Sequence, residues 1–144
     1  MDEAYILTLD AGTTGVKCAA FSPKGEAACS AVEAYPTYYP FSGWAQQKPG
    51  EQLNAALRAI RIVLEKVPAE QVCALVFSGT MNGCIPIDEK GEALHENIIH
   101  SDLRAEPQTE QLLLELKRRG IDIPTDALTP EACAQLLRQR IARS

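Results

Sequence analysis

The stretch LTLDAGTTGVKCAAFSPKGE, residues 7–26, decides how the chain begins to fold. Two short runs of apolar and β-branched residues flank the segment Asp-Ala-Gly-Thr-Thr-Gly, and such runs favour β-strands. The first run predicts a buried strand that ends at Asp10, and GVKCAAF predicts a second strand. A proline and a glycine in the following SPKGE suit a turn. We therefore predict a β-hairpin whose loop carries the acidic, glycine and threonine residues of this segment.

The residues that follow predict a mixed sheet with helices, an α/β fold. A third strand over residues 26–35 completes an antiparallel meander. Residues 50–67 predict an amphipathic helix with Pro49 at its first position, because their apolar residues recur at intervals of three and four. The predicted core-facing residues of this helix are Leu53, Ala56, Leu57, Ile60, Val63, Leu64 and Val67. Residues 71–79, QVCALVFSG, are apolar without alternation, which predicts a strand buried on both faces.

The order of these elements brings two loops together. A helix that connects the meander to a later strand returns that strand parallel to the first strand and beside it. The hairpin loop, residues 10–14, and the loop after the later strand, residues 78–83, then lie at the same end of the sheet. Ligands of α/β sheets bind at such ends, so we expect the functional site there.

The C-terminal part of the chain predicts mainly helices. Residues 105–120 predict a second amphipathic helix that ends at a glycine, and residues 129–144 predict a further helix. Short strands are predicted in residues 84–88 and 93–105. No strand candidate follows residue 106. We therefore expect the strand of residues 72–78 to be an exposed edge, to be covered by the C-terminal helices, or to pair with a second copy of the chain.

Composition and charge exclude several classes of function. The chain has 144 residues, the size of one ordinary domain, and a formal net charge of −5, which argues against a nucleic-acid partner. No apolar run approaches the ~18 residues of a membrane span, and no secretory signal is visible. The expectation is a cytoplasmic protein without a membrane partner. The five cysteines include no C-x-x-C pair, which predicts reduced cysteines used as small hydrophobic residues.

The hairpin loop offers the groups that a magnesium-nucleotide needs. Asp10 can hold Mg²⁺, usually through water, and Gly12 lets backbone N–H groups approach phosphate oxygens. The hydroxyls of Thr13 and Thr14 can complete these contacts. A plain hairpin turn, in which Asp10 is only a capping residue, explains the same residues. The loop alone leaves both interpretations open.

Further motifs follow this loop along the chain: FSPKGE, GWAQQKPGE, FSGTMNG, IDEKGEAL and SDLRA. Together with DAGTTGVK, and in this order and spacing, they resemble the N-terminal part of the FGGY carbohydrate kinases over residues 5–106. The resemblance implies a ribonuclease H-like fold of the actin/hexokinase ATPase type, of which this chain carries an incomplete N-terminal domain. It also implies transfer of the γ-phosphoryl group of ATP, with Mg²⁺, to a hydroxyl of a sugar or polyol.

The resemblance also implies roles for individual residues. Asp10 orients magnesium and the reacting groups. The residues expected at the ATP phosphates are Gly12, Thr13 and Thr14. The residues expected at the sugar are Met81 and Asn82, with Asp102 and Arg104 in a polar segment at the same cleft. These roles are what family membership implies.

Some residues depart from the family pattern. His100 and Ser101 stand where many members carry Trp-Asn, and Asn82 stands where xylulose kinases usually have histidine. Both departures argue against xylulose as the substrate. The family's general base and its second domain lie beyond the matched segment. We therefore predict that residues 1–106 are the leading part of the kinase domain, that residues 107–144 are a helical tail, and that the isolated chain is inactive.

A second interpretation belongs to a different class of function. The same fold can serve as a non-catalytic regulatory module that binds a sugar or a nucleotide. Two protein partners also stay open. One is a second copy of the chain, which gives a homodimer, and the other is the remaining part of a kinase.

Overall fold

The computed structural model describes residues 4–121, and its sheet begins with three consecutive strands. These are β1, Tyr5–Ala11, β2, Gly15–Phe21, and β3, Ala27–Ala34. β1 pairs with β2, and β2 pairs with β3, both antiparallel. The predicted meander is confirmed, and the Gly-Thr-Thr segment forms the turn between β1 and β2.

A helix then returns the chain to the same sheet. The elements are β4, Gln46–Gln47, α1, Pro49–Leu64, a short 3₁₀ turn, Ala69–Gln71, and β5, Val72–Gly79. β5 pairs parallel with β1, which gives the strand order β3-β2-β1-β5. Asp10 lies opposite Ser78, and Ala11 lies opposite Gly79. The predicted parallel return is confirmed, and so is the start of the helix at Pro49.

α1 packs on β2 and β3 through its small residues. Ala55, Ala59 and Val63 are completely buried, whereas Leu53 and Leu57 are 60% and 41% exposed. The predicted core-facing stripe is therefore wrong for these two leucines. A helical repeat allows either of two neighbouring lines of apolar residues to face the core. The line that contains Ala55 and Ala59 faces the core, because a side chain of one carbon lets the helix backbone approach the sheet closely.

The predicted burial of β5 is also wrong. The strand is exposed from its second residue to its last, and Leu75, Val76 and Phe77 are 40%, 52% and 69% exposed. β5 is the edge of the sheet in the part of the chain that the structure describes. An apolar run indicates that a strand suits burial on both faces, but only the surrounding elements decide whether a cover is present.

The described residues also form a second sheet, which has two strands. β4 pairs antiparallel with β6, Asn97–Ile98, which confirms the short strand predicted in residues 93–105. The strand predicted in residues 84–88 does not form a ladder. Cys84 and Ile87 make only isolated bridges, to Ile98 and Ala93. Pro86 stands between them and has no N–H to donate, so a continuous ladder is interrupted there.

The helix predicted in residues 105–120 is confirmed as α2, Glu106–Arg118. Gly120 has a φ of +71°, in the left-handed region that favours glycine. The N–H groups of Gly120 and Ile121 donate to the carbonyls of Lys117 and Leu116. This is the Schellman arrangement, and it confirms the predicted stop.

The chain divides into two compact units between Asp102 and Leu103. The strands and α1 belong to the first unit, and α2 belongs to the second. The helix predicted for residues 129–144 lies outside the described residues. No helix within residues 4–121 is long and apolar enough to cross a membrane.

Candidate functional site

The turn between β1 and β2 is closed by one backbone hydrogen bond and by close packing. The N–H of Gly12 donates to the carbonyl of Gly15 at 2.9 Å. A Cβ atom on Gly15 would lie 2.6 Å from the carbonyl oxygen of Glu33 on β3. Non-bonded carbon and oxygen atoms do not approach so closely. Glycine at position 15 is therefore what lets β3 pack against this end of β2.

Tyr35, directly after β3, holds two carbonyls of the turn. Its phenol O–H donates to the carbonyl of Gly12, and its backbone N–H donates to the carbonyl of Thr14 at 3.4 Å. Burial raises the pKa of the Tyr35 phenol above its usual value, a hydrogen bond with Gln52 lowers it, and the carboxylate of Asp10 raises it further. The phenol therefore keeps its proton at neutral pH and remains a donor.

Gln47 and Thr80 hold the other two carbonyls. The side-chain Nε2 of Gln47 donates to the carbonyl of Thr13 at 2.7 Å and to the hydroxyl of Thr37 at 2.9 Å. Gln47 is 2% exposed and is the buried polar residue of the described part of the chain. Thr80 donates to the carbonyl of Ala11 from its N–H at 2.9 Å and from its hydroxyl at 2.8 Å.

The turn consequently presents N–H donors to its surroundings. Each carbonyl of residues 11–14 accepts a hydrogen bond from inside the protein. In a trans peptide, the C=O group and the following N–H point to opposite sides. The held carbonyls of Gly12 and Thr13 therefore turn the N–H groups of Thr13 and Thr14 away from the groups that hold them. Within residues 4–121, neither of these N–H groups donates a hydrogen bond.

Asp10 completes the chemistry of the turn. It is exposed at the end of β1, and its carboxylate makes no hydrogen bond or ion pair with any other described residue. Across the same residues, no cluster of three or more His, Cys, Asp or Glu side chains could hold a metal ion. Mg²⁺ is commonly bound by one or two carboxylates together with water and substrate phosphates. The residues present thus fit Mg²⁺ that arrives with a nucleotide.

The loop after β5 begins against this turn, because Thr80 binds the carbonyl of Ala11. The predicted proximity of residues 10–14 and 78–83 is confirmed. Met81 is 80% exposed, and Asn82 has a φ of +62°, a left-handed conformation that asparagine tolerates better than most residues. Both side chains therefore stand on an exposed loop beside the turn. Their contact with a sugar stays a prediction.

Asp102 joins two segments of the first unit. Its Oδ2 atom accepts a hydrogen bond from the N–H of Ala45 at 2.6 Å, and its own N–H donates to the carbonyl of Ile99 at 2.9 Å. These bonds tie the residue before β4 to the segment after β6. Arg104 lies in the second unit and is half-buried. The predicted roles of Asp102 and Arg104 at a substrate cleft stay predictions.

An open pocket of about 540 Å³ has Ser101, the residue before Asp102, in its lining. It is lined by Tyr39, Pro40, Phe41, Ser42, Gly43, Trp44, Ala45 and Ser101. The rings of Phe41 and Trp44 pack edge to face, with centroids 5.0 Å apart. Trp44 thus packs against a neighbouring aromatic residue within the long loop before β4.

Sequence reasoning missed the three side chains that hold the turn, namely Tyr35, Gln47 and Thr80. Thr80 had a usable signal, because it directly follows a strand that was expected to end beside the turn. Gln47 had none, since the polar run AQQKPGE does not show which amide is buried. Tyr35 stands at the end of a predicted strand, where its phenol could equally have faced solvent.

Solved structures of sugar kinases share this arrangement of strands and helix. The ligand-bound xylulose kinase from Lactobacillus acidophilus superposes with a TM-score of 0.71 at 25% sequence identity, covering 82% of this chain and 23% of that one. The mixed α/β sheet is therefore the fold found in sugar kinases, of which this chain matches one part.

The chain belongs to the FGGY family of carbohydrate kinases, because the family's N-terminal domain matches residues 5–125. A gluconokinase from Bacillus subtilis is 30% identical over 126 residues, which are 83% of this chain and 25% of the relative. A glycerol kinase from Thermococcus gammatolerans is 30% identical over 123 residues, or 84% of this chain and 24% of the relative. The chain spans about a quarter of the length of the curated relatives that it matches.

Proposed function

We propose that the chain is the N-terminal part of a kinase that transfers a phosphoryl group from ATP to a hydroxyl of a sugar, polyol or sugar acid. In this proposal Asp10 orients Mg²⁺, and Gly12, Thr13 and Thr14 face the ATP phosphates. The observation that carries the proposal is the arrangement of the turn. Its carbonyls accept internal hydrogen bonds, while two N–H groups and one carboxylate have no partner among the described residues.

This arrangement suits an anion because of where its partial charges lie. A carbonyl oxygen repels a phosphate oxygen, and here each carbonyl of residues 11–14 already accepts a hydrogen bond from another group of the protein. Successive N–H groups in a turn form a concave site that attracts phosphate. The hydroxyls of Thr13 and Thr14 add further donors. A carboxylate next to such donors would repel phosphate alone, so Asp10 favours a phosphate that carries Mg²⁺.

The proposed substrate side is the exposed loop beside the turn. Met81 and Asn82 stand on this loop, and Asp102 and Arg104 follow at the end of the first unit and the start of the second. The relatives act on different compounds by their names, gluconate and glycerol among them. We therefore propose the substrate only as a class.

The isolated chain should bind nucleotide and fail to phosphorylate a sugar. No described residue beside the turn is an evident general base, since the Asp102 carboxylate already accepts the N–H of Ala45. Phosphoryl transfer depends on groups positioned on both sides of the reacting atoms. The chain spans about a quarter of its relatives. The remaining part of a kinase is thus the partner that supplies the base, and the cytoplasm is the proposed location.

The alternative is a regulatory module that binds a sugar or a nucleotide without chemistry. The family of the chain favours the kinase, because the matching family consists of carbohydrate kinases. Titration of the chain with Mg-ATP, followed through the backbone amide resonances, tests the proposal. We expect shifts at Thr13 and Thr14 that require Mg²⁺ and that weaken in Asp10→Ala. Shifts of equal size with and without Mg²⁺ would support the regulatory module.

A further inference from the structure

Three amide side chains are hydrogen-bonded in a line that runs from β6 to the turn between β1 and β2. Asn97 on β6 donates from Nδ2 to Oε1 of Gln52 on α1, at 3.4 Å. Gln52 donates from Nε2 to Oε1 of Gln47 on β4, at 2.9 Å. Gln47 donates in turn to the carbonyl of Thr13, at 2.7 Å. We call Asn97, Gln52 and Gln47 the amide chain.

All members of the amide chain point in the same direction. Each one accepts at its oxygen from the previous amide, or begins the chain, and donates from its nitrogen toward Thr13. Hydrogen bonds aligned in this way polarise one another, and they weaken together when one link is removed. Gln47 is almost fully buried, so water cannot easily replace a lost partner there.

The far end of the amide chain touches the loop that carries the proposed substrate residues. The Oδ1 atom of Asn97 is enclosed and has no hydrogen-bond partner among the described residues. A Cβ atom on Gly83 would lie 2.9 Å from this oxygen. Gly83 directly follows Met81 and Asn82 in that loop. The position of the loop and the position of the Asn97 side chain therefore depend on each other.

The near end of the amide chain fixes one peptide of the phosphate turn. The carbonyl of Thr13 and the N–H of Thr14 belong to the same planar peptide and point to opposite sides. When Gln47 holds the carbonyl, it also sets the direction of the Thr14 N–H. That N–H is one of the two proposed phosphate donors.

From these contacts we infer that Gln47, Gln52 and Asn97 are positioning residues that couple the loop at Gly83 to the N–H of Thr14. The coupling itself is a property of the folded chain. Its consequence for a nucleotide rests on the proposed function. A change at Gly83 moves Asn97, the hydrogen bonds along the amide chain lengthen, and the peptide between Thr13 and Thr14 turns.

Amide spectra of the isotopically labelled 144-residue chain test this inference. The variant Gln52→Glu keeps the side-chain shape and can still accept from Asn97, but it cannot donate to Gln47. It also changes the hydrogen bond with the Tyr35 phenol, so variants at Gly83 and Asn97, which leave Gln52 in place, are needed to assign the effect to the amide chain. We expect shifted resonances for the Thr14 backbone amide and for the Gln47 side-chain amide, with faster exchange of the latter. The matched control is Asn54→Ala, an exposed amide on the same helix, which should leave both resonances in place.

Gly83→Ala tests the coupling from the other end. Its new methyl group must displace the Asn97 side chain, and we expect the Thr14 amide to shift although the substitution lies outside the turn. Asn97→Ala, which removes the same link without adding bulk, should produce the same direction of shift. An unmoved Thr14 amide in Gln52→Glu, or in both Gly83→Ala and Asn97→Ala, overturns the inference.

Nucleotide affinity gives a second reading. If the chain binds Mg-ATP, Gln52→Glu should raise the dissociation constant by about tenfold, the equivalent of one ordinary hydrogen bond, and Asn54→Ala should leave it unchanged. If the parent chain binds no nucleotide, the proposed function fails. The shifts in the unliganded variants still decide the coupling, so the two failures are distinguishable.

Discussion

The phenol of Tyr35 donates a hydrogen bond to the carbonyl of Gly12, so a side chain from the end of β3 fixes a peptide in the turn between β1 and β2. The backbone N–H of the same tyrosine holds Thr14 in that turn. A single buried residue thus holds two peptides of the turn, and one of them carries the outward-facing N–H of Thr13. The orientation of this donor is a tertiary property, because the group that holds its peptide comes from the end of β3.

Replacing Tyr35 by phenylalanine removes the phenol O–H and leaves the carbonyl of Gly12 unpaired. We expect the free energy of unfolding to fall by about 0.5–1.5 kcal/mol, the usual net contribution of one hydrogen bond, because the bond between Tyr35 and Gly12 is only part-buried. Urea titration measures it. Tyr38→Phe is the matched control, since its hydroxyl binds the half-exposed carboxylate of Glu51 and a smaller loss is expected. Equal losses in the two variants would contradict a special role for Tyr35.

The stability of the chain should fall at alkaline pH through the same residue. The pKa of the Tyr35 phenol is raised in the folded chain, chiefly by burial. The stabilisation is complete below the unfolded pKa of about 10. As the pH rises, the unfolded chain loses its phenol proton first, so unfolding becomes easier up to the folded pKa.

Urea midpoints from about pH 8 to about pH 11 measure this fall, and Tyr35→Phe should flatten it. Tyr38→Phe should flatten it as well, because its hydrogen bond to the Glu51 carboxylate, and to a lesser degree burial, raise the pKa of the Tyr38 phenol. A parent chain whose midpoint stays constant over this range would show that neither phenol titrates differently on unfolding.

Gly15→Ala should destabilise the chain strongly, although it adds only one methyl group. The added methyl group would meet the carbonyl of Glu33 at 2.6 Å, and backbone atoms cannot yield as a flexible side chain does. We expect a loss of about 1–3 kcal/mol, as for other overpacked sites. Gly50→Ala on α1 is the control, because nothing lies within 4 Å of its new methyl group. Thermal melts of both variants decide the comparison.

The exposed edge at β5 should make the chain associate. Phe77 is 69% exposed on a strand whose outer edge has no strand partner among the described residues. An uncovered apolar edge strand pairs readily with another chain. Sedimentation over a range of concentrations should show a homodimer or larger species, and Phe77→Lys should shift the chain toward monomer. Val32→Lys, on the opposite edge strand β3, is the control and should have a smaller effect.

A clean monomer of the parent chain at high concentration would contradict this self-association. The remaining part of a kinase is the other proposed partner, and we expect it to contact the same edge. Added in excess, it should dissociate the homodimer, and Phe77→Lys should weaken both assemblies. A remainder that binds the variant and the parent equally would place its contact elsewhere.

The purified chain should not turn over when given ATP, magnesium and a panel of pentoses, hexoses, polyols and sugar acids. If the chain did turn over at ordinary kinase rates, about 1–100 per second, and Asp102→Asn abolished this activity, the proposal that the chain lacks a general base would be wrong. Adding the remaining part of a kinase should restore activity, and Asp10→Ala should then abolish it. If the Asp10→Ala variant kept the restored activity, the phosphate site would not lie at the turn.

Much of the fold could be predicted from the local pattern of the sequence. The hairpin, the third strand and the start of α1 at Pro49 follow from short apolar runs, turn residues and a helical repeat, which act within a few residues. The parallel return of β5 beside β1 follows from chain connectivity. The closeness of residues 10–14 and 78–83 could be predicted for the same reason.

The sequence by itself determined which elements form, their order and the chemistry that the turn offers, from Asp10 to Thr14. The tertiary structure decided which faces are covered and which polar groups meet. It exposed Leu53 and the whole outer part of β5, and it brought Tyr35, Gln47 and Thr80 to the carbonyls of the turn. Local patterns arise from interactions between near neighbours. Burial and long-range hydrogen bonds depend on which distant segments pack together. The local sequence therefore does not show which of several similar residues will be buried or will form such a hydrogen bond.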